Sequence, residues 1–262
     1  MMPPRSPWGP STLKRHLKSL AEHTLGVHIS RSPDSGYNKH SDSDLRAIRR
    51  WSASDVVFDV GANDGRTILR IQELLNRPQI IAFEPVSCTH DVLVQRTRHL
   101  PNVRTVRAAV GASAGRRDIY LNEIASMNSF SPDWTESRTG VETVDVITID
   151  EYIAQAGIPF VHYLKVDTEG AEFDVLQGAE EALRASRIGI IQVEVGFDQV
   201  AKGFLSLEQA RIHLAARGYR LFGIYNQCRT HAPAPAGWPA GVTHAGVEVL
   251  AYLDALFIGA AA

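Results

Sequence analysis

A doubly wound, Rossmann-like α/β sheet of seven strands with a short N-terminal helical extension is the fold class this 262-residue sequence predicts. Three observations carry that expectation. The apolar run Val56-Val57-Phe58-Asp59-Val60 ends in a small-residue turn, Gly61-Ala62-Asn63-Asp64-Gly65, and a helical pattern from Thr67 to Leu75 follows at once. That is the first strand–turn–helix of a parallel sheet covered on both faces. From residue 55 onward strand-like and helix-like segments alternate. The chain then closes on two consecutive strands, which suits a sheet with one antiparallel strand near its edge.

The proline-rich residues 1–10 read as a loose tail. Ser11 or Thr12 caps a helix whose apolar positions Leu13, Leu17, Leu20, Ala21 and Leu25 recur every three or four residues. Residues 30–42 read as a loop, and a short helix from Ser43 to Arg50 leads into the first strand with Trp51 packed between them. Residues 1–50 are thus expected to cap a main domain of residues 51–262.

Strand one is 56–60 and its helix 65–76; strand two is 79–84 and its helix 87–99. Pro101-Asn102 turns into strand three, Val103 to Val110. A hairpin-like insert follows, with a turn at Gly111 to Gly115 and alternating patterns over Arg117 to Leu121 and Val141 to Ile149. Strand four, Val161 to Val166, precedes one helix from Ala171 to Arg184. Strand five is Ile188 to Val195, and a helix from Leu207 to Arg217 ends at Gly218. Strand six, Tyr219 to Tyr225, a Pro/Gly-rich loop 229–246 and strand seven, Glu248 to Ile258, complete the chain.

Composition narrows the function. A net charge of −2 gives no reason to expect nucleic acid or an acidic membrane as the main partner. The charge is uneven: residues 1–50 hold nine Lys/Arg against four Asp/Glu, which reads as a solvated basic face. Cys88 and Cys228 are too few for a disulfide framework or a zinc site, so reduced thiols are expected. No signal-peptide core follows the first basic residues, and no apolar run reaches the ~18 residues of a membrane span. A cytoplasmic protein without stable membrane insertion is expected.

The first turn also bears on the ligand. A dinucleotide fingerprint needs G-x-G-x-x-G, but here the pattern is Gly61-x-Asn63-x-Gly65. The second strand ends Ala82-Phe83-Glu84-Pro85, placing a carboxylate where such sheets meet the ribose hydroxyls of an adenosine-containing cofactor. An adenosine ligand lacking a pyrophosphate fits best, and S-adenosylmethionine is the obvious one.

A second constellation, Lys165-Val166-Asp167-Thr168-Glu169-Gly170-Ala171-Glu172, puts three carboxylates at the end of strand four. Central strand ends open onto the ligand crevice. Glu172, and in part Glu169, also have the simpler reading of acids favouring a helix N-terminus.

At these residues the chain resembles the FkbM-type class I S-adenosylmethionine-dependent methyltransferases. The resemblance rests on Phe58 to Gly65, Phe83-Glu84-Pro85 and Lys165 to Glu172. It extends more loosely through Val146 to Asp150, Ile191 to Val195 and Asp254 to Ile258, covering roughly residues 55–258. It implies the class I methyltransferase fold and O-methylation of a hydroxyl on a sugar, glycolipid or polyketide-like natural product. The matched turn (Asp59, Gly61, Ala62, Asn63, Asp64 and Gly65) would then meet the methionine and ribose side of the cofactor. Glu84 and Pro85 would lie at the ribose, and Ala108, Ala109 and Val110 beside adenine.

Methyl transfer from an activated donor needs a positioned hydroxyl and a group to take its proton. Asp167 is the expected base, beside the cofactor, with Glu169 or Glu194 from the adjacent strand end orienting the hydroxyls. His231 and His244 in the closing loop are the other candidates, although a lone loop His is usually only solvated. Asp167 with Glu169 resembles half of a divalent-cation site, but no His or further carboxylate shows ligand spacing with them, so no metal is assigned. Acceptor contacts are expected from the insert around Asn122 to Trp134, Asn128 and Ser129 above all, and from Tyr225 and Trp238 stacking on a sugar ring. A small-molecule or glycoconjugate acceptor is the expected partner, with a homodimer as the open assembly question. A nicotinamide-dependent oxidoreductase and a non-catalytic adenosyl-cofactor-binding protein are the competing readings; the missing G-x-G turn and the closing strand pair argue against the first.

Overall fold

The structure, a computed structural model, describes residues 28–29, 39–132, 137–196, 205–232 and 247–260. The expected helix at Leu13 to Leu25, and Trp134, Trp238 and His244, lie outside these residues. In chain order the strands are β1 (His28–Ile29), β2 (Val56–Val60), β3 (Gln79–Phe83), β4 (Val103–Val106), β5 (Ala109–Val110), β6 (Gly115–Asn122), β7 (Arg138–Ile147), β8 (Val161–Val166), β9 (Ile188–Gly196), β10 (Arg220–Ala232) and β11 (Val247–Ile258). The helices are α1 (Lys39–Ile48), α2 (Arg66–Leu74), α3 (Ser87–Thr97), α4 (Ile149–Ala156), α5 (Glu172–Gln177), α6 (Glu180–Arg184) and α7 (Leu207–Ala215).

The main sheet runs β1-β10-β11-β9-β8-β2-β3-β4. Seven of these strands are the expected ones, mostly parallel, with β11 antiparallel to both β9 and β10. The two-residue β1, to which the sequence reading assigns no element, adds an eighth at the β10 edge. Strand order reverses between β2 and β8, which is where a doubly wound sheet opens its crevice. No helix among the described residues is long and apolar enough to cross a membrane.

Alternation along the central strands builds two different faces. Phe58, Val60, Leu164, Val166, Ile191 and Val193 pack under Ile149 and Ile153 of α4, Val175 and Leu176 of α5 and Leu214 of α7. The opposite face begins just as apolar: Val57, Tyr163, Ile190 and Leu256 meet Leu45 of α1, Ile68 and Ile71 of α2 and Leu93 of α3. Trp51 lies between α1 and the sheet, donating from Nε1 to the Leu45 carbonyl at 2.7 Å and meeting Tyr163 edge to face. Towards the crevice end of the sheet this second face turns polar, with Asp59, Lys165, Gln192, Glu194 and Asp254 all buried. Buried charges at the carboxyl ends of central strands mark the crevice.

Three expectations need correction. Strand three does not run unbroken to Val110: after Val106 the chain leaves the sheet, and Ala109–Val110 pairs in parallel with Val146–Ile147 of β7 in a separate three-stranded sheet, β5-β7-β6. The alternating Ile119, Val144 and Val146 form a small core of their own with Val86 and Ala109, and that core takes the strand end. The second alternating segment stops at Ile147, because Thr148 caps α4 in a reciprocal capping box with Glu151. The single helix expected from Ala171 to Arg184 is two. The Gly178 carbonyl turns out to accept from Asp150 N at 3.0 Å, and the Asp150 carboxylate caps α6 through Glu181 N and Ala182 N, both at 2.9 Å. A Cβ at Gly178 would lie 2.0 Å from the Gly111 carbonyl oxygen, so only glycine fits this break.

Candidate cofactor and acceptor site

A cavity of about 390 Å³ opens at the carboxyl ends of β2, β3, β5 and β8. The turn after β2 forms its floor. Gly61, Asn63 and Gly65 adopt φ of 79°, 48° and 83°, left-handed values that glycine takes freely and asparagine tolerates. Gly61 N and Ala62 N both donate to the Phe83 carbonyl, at 3.1 and 3.0 Å, tying the turn to the end of β3. At Gly61 the requirement is also steric: a Cβ would lie 1.8 Å from the Asp167 carbonyl oxygen. Gly61, Ala62, Asn63 and Asp64 line the cavity. Gly65 does not; a Cβ there would meet Leu93 Cδ1 at 2.8 Å, so this glycine lets α2 seat against α3.

Glu84 is the buried carboxylate of the wall. One oxygen accepts from Asn63 N and the other from Val86 N, each at 3.0 Å. Burial pushes its pKa up to about 7 against the opposing effect of these two bonds. Each oxygen still has acceptor capacity for a ligand hydroxyl. Pro85, Ala108, Ala109 and Val110 line the cavity beside it, and Ile119 and Phe130 extend this apolar wall. Burial works against the charge of Asp64, yet hydrogen bonds from Arg96 and from Arg66 N hold its pKa below the usual carboxylate range.

The opposite end of the cavity is acidic. Asp167 and Glu169 line it, and Glu194, from the neighbouring strand, stands behind them. One carboxylate oxygen of each lies within 4.8 Å of the others. Parallel pairing of Val166 with Val193 sets Asp167 beside Glu194, which neither sequence segment reveals alone. Glu194 is 8% exposed, and burial together with Asp167 and Glu169 pushes its pKa up to about 10. Asp254, opposite Glu194 across the antiparallel pair, is held by the Asn226 amide and raised by burial to about 6.

The turn carrying the acids is held from both sides. Glu169 has φ 55°. Glu172 is fully buried and accepts from Thr168 N and Oγ1, both at 2.9 Å, and from Gly170 N at 3.0 Å, so it shapes the turn and does not meet the cavity. Ser129 Oγ donates to the Glu169 carbonyl at 2.6 Å.

Several expected contacts fall elsewhere. Asp59 is fully buried behind the cavity, facing Lys165 Nζ at 3.8 Å, with no hydrogen-bond donor at either oxygen among the described residues. Ser129, 2% exposed, is a brace for the acid turn and not an acceptor contact. Asn128 lines the cavity, but its side-chain Oδ1 already accepts from Asn122 N at 2.8 Å. Tyr225 is a core residue: it is 3% exposed, packs with Leu45 and donates to Asp44 Oδ2 at 2.7 Å, because the β10 register turns it inward under α1. His231 lies within β10.

Residues to which the sequence reading gave no site role also reach the cavity, notably Lys165, Arg66, Thr67, Ala125 and Ser126. Lys165 donates to Asp167 Oδ2 at 2.8 Å. Burial alone would lower its pKa, but Asp167 and Asp59 outweigh that and raise it. A lysine inside an otherwise apolar buried strand was the available signal.

Known proteins resemble this chain over the same region. The family model described as the methyltransferase FkbM domain matches residues 59–221. Hexuronic acid methyltransferase AglP of Haloferax volcanii is 30% identical over 145 residues, covering 55% of this chain and 58% of that protein. The 31-O-demethyl-FK506 methyltransferase FkbM of Streptomyces tacrolimicus is 30% identical over 159 residues, covering 49% and 60%. The 2-O-methyltransferase NoeI of Sinorhizobium fredii is 24% identical over 169 residues, covering 58% and 68%. The matched stretch thus spans less than two thirds of AglP and of FkbM. Among solved structures, an FkbM methyltransferase from Methylobacillus flagellatus shares the fold, with a TM-score of 0.52 at 17% identity over 94% of this chain and 52% of its own.

Proposed function

Because this chain belongs to the FkbM methyltransferase family, we propose that it is an S-adenosylmethionine-dependent O-methyltransferase whose acceptor is a hydroxyl on a sugar, glycolipid or polyketide-like molecule. One observation carries the reading: a single cavity joins Glu84, a buried carboxylate at the end of β3 bonded to the glycine turn, to a cluster of acids at the switch point of the sheet. The residues suit the proposed donor. Glu84 offers two oxygens to a ribose diol, and Ala108 to Val110 with Ile119 supply an apolar wall for a purine. The acidic end favours a cationic sulfonium and amine. Gly61 brings bare backbone to the cavity floor where any side chain would collide. When bound, the donor supplies an already activated methyl group.

The chain's own residues then orient the acceptor and handle its proton. Lys165 occupies Asp167 Oδ2, leaving the other oxygen for an acceptor hydroxyl; Asp167 accepts that proton as the methyl is transferred. Glu169, at the cavity, and Glu194, behind it, set the hydroxyl's direction. Phe130, with the Arg117 guanidinium 4.2 Å over its ring, offers a flat apolar surface for the body of the acceptor. AglP is named for a hexuronic acid, FkbM for 31-O-demethyl-FK506 and NoeI as a 2-O-methyltransferase, which supports a hydroxylated acceptor here.

Calorimetry tests the donor: S-adenosylmethionine should bind and NAD should not. Transfer of labelled methyl to a panel of uronic acids, free sugars, glycolipids and macrolide precursors tests the reaction. Asp167→Asn should retain donor binding and lose turnover by roughly 10² to 10⁴-fold, the usual worth of a general base. Near-normal turnover in that variant would exclude Asp167 as the base, and binding of NAD in place of S-adenosylmethionine would exclude the reading as a whole.

A further inference from the structure

We propose that Asp167, Glu169 and Glu194 bind one divalent metal ion of the hard, oxygen-seeking class: magnesium, manganese or calcium. One oxygen from each carboxylate lies within 4.8 Å of the others. Oxygens on a shared ion with bonds of about 2.1 to 2.5 Å are about 3 to 5 Å apart, the span from adjacent to opposite positions of an octahedron. The three side chains need only small rotations to meet on one ion.

The second observation is Glu194 itself. The residue is 8% exposed, and one of its carboxylate oxygens faces those of Asp167 and Glu169. No hydrogen bond or ion pair reaches its carboxylate from the described residues. Buried carboxylates are normally hydrogen-bonded, paired or on a metal. Lys165 does not serve Glu194: its ammonium sits 2.8 Å from Asp167 Oδ2 and 3.8 Å from Asp59 Oδ1. Asp254, opposite Glu194 in the β9–β11 pairing, adds negative charge to the same corner. Among the described residues Asp59, Asp167, Glu194 and Asp254 thus outnumber Lys165 in this corner, and a doubly charged cation corrects that excess.

Donor type selects the ion. Three carboxylates with no imidazole or thiolate favour magnesium, manganese or calcium over zinc or copper. Three protein ligands leave about three octahedral positions for water or for acceptor hydroxyls. That last use rests on the function proposed above; the binding of the ion does not.

Manganese(II), followed by electron paramagnetic resonance on the full chain without methyl donor, tests the site. The free-ion signal should fall with a stoichiometry of one, and magnesium should compete. Glu194→Gln and Glu169→Gln should each weaken manganese binding at least tenfold, whereas Asp174→Asn, at the exposed Arg117 pair, should leave it unchanged. An undiminished free-ion signal with wild-type protein in excess would overturn the proposal, and needs no variant to fold. So would manganese binding of wild-type strength in a folded Glu194→Gln. Calorimetry with S-adenosylmethionine on the same sample separates the two readings. Donor binding without manganese retention removes the ion site alone; manganese retention without donor binding removes the methyltransferase reading and leaves the ion site standing.

Discussion

Binding of the methyl donor should release a proton from Glu84, and the structure sets the size of the effect. Burial holds this carboxyl at a pKa of about 7 in the folded protein. About three quarters of it is therefore protonated at pH 6.5 and a few per cent at pH 8.5. A ribose diol donating to both oxygens favours the ionised form and draws the pKa down. Binding at pH 6.5 should accordingly expel more than half a proton through Glu84, and binding at pH 8.5 almost none. Calorimetric titration in two buffers of different ionisation enthalpy counts that proton. The donor's own amine also titrates, so the informative quantity is the difference between wild type and Glu84→Gln, in which the amine behaves alike. The amide keeps one acceptor oxygen but turns an N–H₂ towards a backbone N–H of Asn63 or Val86, and it loses at least one charge-assisted bond of about 2 kcal/mol, or roughly thirtyfold in Kd. Equal proton release by the two proteins at pH 6.5, or unchanged affinity in the variant, would refute the placement of the ribose on Glu84.

The same shift fixes a stability window. Glu84 is protonated more readily folded than unfolded, so its contribution is fully present below its ordinary value of 4.5 and is lost as pH rises to about 7; urea titrations of wild type should fall by about 3 kcal/mol more across that window than those of Glu84→Gln. Lys165→Met should cost about 3 to 5 kcal/mol, because it strands Asp59 and Asp167 without their cation, and adding Asp59→Asn should restore a large part of it; a Lys165→Met protein as stable as wild type in denaturant would contradict the pairing. Ser129→Ala frees the Glu169 carbonyl, so methyl transfer should slow while the Kd of the donor stays put; a change confined to donor affinity would show that Ser129 acts elsewhere.

Much of this fold was legible because local and global signals agree. The run Val56 to Gly65 carries its own strand, turn and helix start, and the structure keeps all three. The two closing strands likewise read as strands from their apolar pattern alone. Legibility failed where a distant partner decides. Within 171–184 only Gly178 hints at a break, which is made by Gly111 and Asp150, tens of residues away. Val103 to Val110 reads as one strand until the core of Ile119, Val144 and Val146 claims its end. Helix α4 was a missed signal of another sort: Thr148-Ile149-Asp150-Glu151 is a capping box in plain view, hidden by the strand alternation running into it. At the site, the turn residues and Glu84 followed from chain order. Asp59 and Tyr225 did not, because facing is decided by strand register and not by proximity to a motif.

The contact between Gly61 and the Asp167 carbonyl has a mechanical consequence. The loop proposed to seat the donor and the strand end bearing the acids touch main chain to main chain, with Asp167 N also bonded to the Val60 carbonyl at 3.1 Å. Neither can advance or retreat without the other, so under the proposed reaction the gap between the methyl donor and the acids is set by this main-chain contact. Under that reading a change of acceptor is made at the rim contributed by β6, the short turn Ala125–Met127 and Phe130, without altering this span.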